Sequence, residues 1–194
     1  MPIELSRRFL LAAGTGAVLA ARPADAVETL KIGAPNGTID FAIGDSRIFR
    51  TTGGFKNWQG NLFVDDVDIP KSSVDVTVRT GSIQMLDAQQ TAMLRDVDFF
   101  DVERFPEMTF RSTAVERTGE TTLKVLGNIT LRGVTRPMTL TASVTERRPD
   151  APAGKRYATL RAEGSIKRSE FGMVKFIDLV GDTVDITIRT DAWR

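Results

Sequence analysis

Val74, Val76 and Val78 alternate with Asp75, Thr77 and Arg79, and the same two-residue period recurs along most of the chain. Successive side chains of a strand point to opposite faces, so this pattern calls for strands that bury one face and expose the other. Ile39, Phe41 and Ile43 share a face within Thr38 to Ile43, and Trp58, Gly60, Leu62 and Val64 do so further on. Met108, Phe110, Ser112 and Ala114 follow, then Leu123, Val125, Gly127, Ile129 and Leu131. Met138, Leu140, Ala142 and Val144 form the next set, and Ala158, Leu160, Ala162, Gly164 and Ile166 another. Val184, Ile186 and Ile188 close the series, while Ile48 to Thr52 reads as a weaker strand ending at Gly53-Gly54. Eight or more short strands with turns between them predict an all-β, antiparallel sandwich or closed barrel. The barrel is preferred, because a meander closed on itself leaves no unpaired edges. A chain of 194 residues, 41% of them hydrophobic, suffices for one such domain with its own core.

Leu86 to Val97 interrupts the alternation. Met85, Ala88, Ala92, Met93 and Leu94 recur there among good helix formers, which predicts one short helix lying across an end of the sheet. Composition narrows the chemistry. With no histidine and no cysteine, Ser-His-Asp triads, thiol nucleophiles, imidazole or thiolate zinc sites and His- or Cys-ligated haem are excluded. A formal net charge of +1 gives no field to gather nucleic acid. Most familiar hydrolase and redox chemistry is thereby excluded; neither a catalytic residue nor a metal site is expected, and an enzyme would have to work with Lys, Asp or Glu in the pocket.

The amino terminus reads as an address. Ser6-Arg7-Arg8-Phe9-Leu10-Leu11 precedes an Ala/Gly-rich apolar run to Ala21 and the small-residue site Ala24-Asp25-Ala26. These are the parts of a cleavable signal peptide over residues 1–26, followed by the domain at 27–194; the run is too short for a membrane span. The paired arginines resemble a twin-arginine export signal, with an ordinary Sec signal as the alternative. Val27 rather than cysteine follows the cut, so the expectation is a soluble exported protein, in the periplasm of a bacterium. Cleavage leaves equal numbers of basic and acidic residues.

A barrel of about eight strands either fills its interior with side chains or holds one small ligand. The inward positions include Gly60, Ser112, Ala114, Gly127, Ala142, Ala158, Ala162 and Gly164, small residues among apolar neighbours. Such a wall can enclose a dry apolar cavity. It can equally make room for Trp58, Phe41, Phe110 and the methionines in a solid core, and spacing alone leaves both open.

Asp98-Phe99-Phe100-Asp101, Phe105-Pro106-Glu107-Met108-Thr109-Phe110-Arg111-Ser112-Thr113 and the stretch from Gly127 to Pro137 resemble, in order, three motifs of the YceI-like family. Gly54-Phe55, Gln59-Gly60, Val64-Asp65 and Arg168-Ser169-Glu170-Phe171-Gly172-Met173 extend the resemblance over roughly Asp40 to Thr190. The family's histidine-serine pair is replaced by Gly44-Asp45-Ser46, and of its arginine-rich run before the aromatic pair only Leu94 and Arg95 remain. The resemblance implies an extended, lipocalin-like eight-stranded barrel holding a polyisoprenoid, quinone or fatty-acyl chain, with no other cofactor and with its head group at a mouth. Candidate ligand-lining side chains are Phe41, Trp58, Leu62, Met108, Phe110, Leu140, Ala158, Leu160, Phe171 and Met173. A hydrophobic small molecule is then the expected partner, with no nucleic acid; transient membrane contact and a homodimer are compatible with it. A platform for a membrane electron-transfer or stress-response system is the alternative.

Among polar residues, Arg95, Arg132, Arg136 and Arg168 could meet a diphosphate or carboxylate, or pair with Asp96, Asp98, Asp101 or Glu103. Phe99, Phe100, Phe105 and Phe110 are expected to close or line the barrel, and Phe171 to Met173 to form a loop over one mouth.

Overall fold

The computed structural model describes residues 27–44 and 50–194. The expected signal peptide and Ile48 lie outside them. Strands β1 (Glu28–Gly33), β2 (Gly37–Ile43), β3 (Thr51–Phe55), β4 (Trp58–Val64), β5 (Ser73–Arg79), β6 (Ile83–Met85), β7 (Glu107–Arg117), β8 (Thr122–Leu131), β9 (Val134–Arg147), β10 (Arg156–Lys167) and β11 (Thr183–Trp193) form one antiparallel sheet. Three pairs of these are single strands bent at one level. β1 and β2 both pair with β11, β4 and β3 pair with β1 and β2, and β5 and β6 pair with β4 and β3. Counted that way, eight strands follow one another around a closed antiparallel barrel, in chain order.

The bends fall at residues 34–36, 56–57 and 80–82, and each is held by its neighbour. Ala34 N donates to Trp58 O (3.1 Å), Lys56 N to Ser82 O (3.2 Å) and Arg79 N to Asn57 O (3.0 Å). Backbone groups freed from the ladder are thus still paired, as burial requires. Glycine at residues 53 and 54 does not end a strand, contrary to expectation. It lies within β3, where Phe41 occupies the space that a Cβ of Gly53 would need.

At one end of the barrel, residues 86–106 and 168–182 fold over the strands; at the other, among the described residues, the connections 65–72, 118–121 and 148–155 rim it. The predicted helix forms as α1 (Ala88–Arg95), shorter than its predicted span because Asp87 caps it, accepting from Gln90 N at 2.7 Å. Met85 belongs instead to β6, whose backbone N–H is taken by Thr91 Oγ1 at 2.9 Å. A second helical turn, α2 (Ile177–Val180), was not predicted; four residues carry no readable period. The expectation for Ala114 also fails. The β7–β8 register shifts between Ser112 and Ala114, a bulge at Thr113 that turns Ala114 outward and Val115 (5% exposed) inward.

Candidate binding cavity

The barrel is hollow. An apolar cavity of about 620 Å³ runs through it, lined from Glu120, Thr121 and Val144 at the loop-rimmed end to Phe99, Phe176 and Val180 at the helical end. Packed protein interiors leave few voids larger than a water molecule, so a space of this size is no packing defect, which makes it the candidate site. Ile186, Ile188, Leu160 and Leu62 point inward yet remain half-buried, because their free faces look into the cavity.

Nine of the candidate residues are brought together on this wall: Phe41, Trp58, Leu62, Met108, Phe110, Leu140, Ala158, Leu160 and Met173. Phe171 is not on it. A 3-10 turn (Arg168–Phe171) ends the period-two geometry of β10, and Gly172, at φ 77°, reverses the chain between Phe171 and Met173. Phe171 therefore packs into the core at 2% exposure while Met173 reaches the wall.

The small inward residues divide into two groups. At Gly127 a Cβ would stand 2.5 Å from Phe110 Cζ, and at Gly60 it would stand 2.4 Å from Asp75 O and 3.1 Å from Val76 Cγ2. Those glycines hold room for neighbouring side chains and backbone. Ala142, Ala158 and Ala162 instead face the open space. Leu30, Ile32 and Val115 also line it and were missed. The alternation of Leu30 and Ile32 in β1 was legible; the bulge behind Val115 was not.

Aromatic contacts close the helical end. Phe41 and Phe55 meet at a tilt with centroids 6.0 Å apart, and Phe55 and Phe100 pack edge to face at 5.5 Å. Met93, Leu94 and Phe99 complete that cover from α1 and the turn after it. At the opposite end the rim is polar: Arg147 Nη2 donates to Tyr157 Oη at 2.9 Å, Tyr157 Oη to Asp66 Oδ2 at 3.2 Å, and Arg147 pairs with Asp66. Burial pushes the Tyr157 phenol up, against the pull of Arg147, so it stays neutral.

Among the described residues, the four arginines singled out in the sequence hold backbone rather than carboxylates. Arg95 Nη2 donates to Ile83 O (3.1 Å), Arg136 Nη1 to Thr135 O (3.3 Å), and Arg132 Nη1 to Val97 O (2.8 Å) and Phe99 O. Arg168 Nε donates to Gly181 O (2.9 Å), and its Nη1 to Met173 O (3.0 Å) and Lys175 O (2.7 Å). Among the suggested carboxylate partners, Asp98 pairs with Lys175. Arg168 is the only one of the four on the cavity wall.

Fold and cavity together define a hollow antiparallel barrel with an apolar interior. The chain belongs to the YceI-like family: the family model for the YceI-like domain matches residues 31–192. Protein YceI of Salmonella arizonae is 34% identical over 139 residues, 72% of each chain. Among solved structures, Burkholderia cenocepacia BcnA superimposes with a TM-score of 0.69 at 22% identity, over 81% of this chain and 96% of its own. The YceI protein of Campylobacter jejuni gives 0.67 at 24%, over 78% and 90%. A domain of Saccharophagus degradans, described as polyisoprenoid-binding and implicated in plant cell wall breakdown, gives 0.60 at 11%, over 84% and 97%. Among the described residues, no helix is long and apolar enough to cross a membrane.

Proposed function

We propose that this protein is an exported carrier that encloses the chain of an isoprenoid or other long amphiphile, without turning it over. The observation that supports this most directly is the void itself. An unfilled apolar space forfeits dispersion contacts along its whole lining, and each methylene moved into it from water contributes about 0.8 kcal/mol. A flexible hydrocarbon chain recovers both terms without needing a specific polar contact along its length. The Saccharophagus degradans domain, described as polyisoprenoid-binding, supports the same ligand class. Export follows from the signal-like residues 1–26, and a bacterial periplasm is the compartment proposed.

Loading by transient contact with a bilayer fits the surface. Leu86, Val97, Val174, Phe176 and Leu179 are exposed apolar side chains, and all five sit on connections at the helical end. Phe176 and Val180 there also line the cavity, so chain-binding surface and outer apolar surface meet.

The test is lipid extraction and native mass spectrometry of protein purified from a bacterial host, followed by titration of the stripped protein with prenyl quinones and fatty acids. Co-purified or titratable long-chain ligand is expected at one per barrel. A stripped barrel with affinity for neither class defeats the proposal.

A further inference from the structure

Two β-bulges change what the strands present at the loop-rimmed end of the cavity. Counted by twos from Phe110, β7 would turn Glu116 inward; counted by twos from Val144, β9 would turn Glu146 inward. The bulge at Thr113 moves the count on by one, so Glu116 stands opposite Lys124 and Arg117 opposite Leu123, a residue of the cavity wall. A second bulge does the same in β9, where the register with β10 shifts between Thr159 and Leu160 and leaves Thr145 extra. Glu146 then faces Thr159 and pairs with Arg148 (2.6 Å) and Arg156 (2.8 Å), while Arg147 stands opposite Ala158 on the wall. Each bulge exchanges an inward glutamate for an inward arginine.

Both arginines are within reach of a ligand at this mouth. Arg117 is exposed, and Arg147 keeps 42% of its side chain accessible. Among the described residues Arg117 forms no ion pair, and its guanidinium gives one bond, from Nη1 to Glu120 O at 3.1 Å. Arg147 is shared between Tyr157 Oη and Asp66, and a half-exposed ion pair of that kind holds weakly enough for a second anion to compete. The acids on the wall nearby, Asp66 and Glu120, sit on connections, whereas both arginines are fixed in the ladder. At the helical end Arg168 is 4% exposed and its bonds go to backbone, so it is no rival.

We propose that the loop-rimmed mouth is an anion subsite, in which Arg117 and Arg147 take the carboxylate or phosphate of the bound amphiphile. This rests on the carrier function and gives it a direction. The head group stays at the mouth, in contact with water, and the tail runs inward past Leu123, Leu160 and Ile188 to the aromatic cover around Phe99. The planar donor fork of arginine suits either oxyanion, and such charge-assisted bonds are the strong ones. β9 runs on beyond Ser143, its last residue paired with β8, so Arg117 is the inner cation and Arg147 the outer.

Two measurements test it. Palmitate and farnesyl phosphate, with hexadecanol and farnesol as their uncharged counterparts, are titrated by displacement of a fluorescent apolar probe from intact protein, Arg117→Gln, Arg147→Gln and the double variant. The double variant should lose about tenfold or more in affinity for one or both anions, while the alcohols stay within about twofold and so report an intact barrel. Which anion responds tells carboxylate from phosphate. An equal loss for anions and alcohols, or no loss at all, overturns the subsite. The second measurement needs no substitution: stearate carrying a nitroxide at carbon 5 should broaden the amide signals of Thr121 and Leu123, and at carbon 16 those of Phe99 and Phe176. The reverse pattern overturns the subsite while leaving the carrier function intact. Failure of all four ligands to displace the probe from intact protein overturns both.

Discussion

Asp182 shows how a single carboxylate secures the segment that covers the cavity. Burial works to raise its pKa, but the bonds from Ser169 N and Oγ, with Lys167 and Arg168 nearby, outweigh that and hold it below its ordinary value. A depressed folded-state pKa means stability that is present above the unfolded value of about 3.9 and lost as pH falls through the lower folded one. Urea midpoints measured from about pH 7 down to about pH 3 should therefore drop on the acid side, and Asp182→Asn should flatten that part of the curve. An unaltered acid limb in Asp182→Asn would assign the acid loss elsewhere. Gly127 offers a second test: its missing Cβ would meet Arg111 O at 2.5 Å, a backbone atom that cannot swing aside, as well as Phe110. Gly127→Ala should cost about 1–3 kcal/mol by denaturant unfolding. Gly81, with open space around its Cβ position, should tolerate alanine within about 0.5 kcal/mol. The sequence marked Gly127 as small and inward but could not say for what. Two-residue spacing reports which face a side chain takes and is silent on which neighbour fills the gap.

Strands were legible wherever alternation ran unbroken, as in β8, β9, β10 and β11, and their inward sets are the ones expected. Legibility failed where geometry changes without a marker residue. At the Thr113 bulge two residues of β7 face one of β8, a distortion that neither glycine nor proline announces, so counting by twos carried Ala114 to the wrong face. The three bent strands failed similarly, their breaks looking like ordinary turns. The bulge makes a prediction that a regular strand does not. Ser112 faces Gly127 and Ala114 faces Leu126, so removing Thr113 joins two stretches that are already in step and keeps Val115 inward. Deletion of Thr113 should leave a folded barrel with a melting temperature only a few degrees lower, at about 2–4 °C per kcal/mol for a chain of this size. Deletion of Thr141 in β9, where Ala142 faces Leu123 and Leu140 faces Val125 without interruption, instead flips one half of the strand to the wrong face. Circular dichroism of the two variants should separate a native barrel from an unfolded chain.

Across the whole molecule, the question left open by composition was whether the closed sheet is solid or hollow, and small inward residues could serve either state. Both uses occur, at different positions: glycines admit Phe41 and Phe110, while alanines leave the lumen open. Ala162 and Ala142 face each other across β10 and β9, and Ala162 also faces Ile188 of β11, forming a low stretch of cavity wall. A large side chain there has opposite effects in a filled and in an empty interior. In a packed core, Ala162→Phe would cost about 1–3 kcal/mol through forced rotamers and shifted backbone. In this barrel the ring enters space that is already present and gains contact with Ile188 and Leu140, at roughly 24 cal/mol for each Å³ of void removed. Stripped Ala162→Phe should therefore unfold in urea no earlier than the parent protein, and Ala142→Phe should behave alike. The ring also takes room from a hydrocarbon chain, so ligand affinity should fall by about tenfold or more, each 1.4 kcal/mol of lost burial being one such factor. Stability retained while binding declines is the combination that only a hollow, chain-binding barrel gives; destabilisation by both rings would mean that the interior has no room to spare.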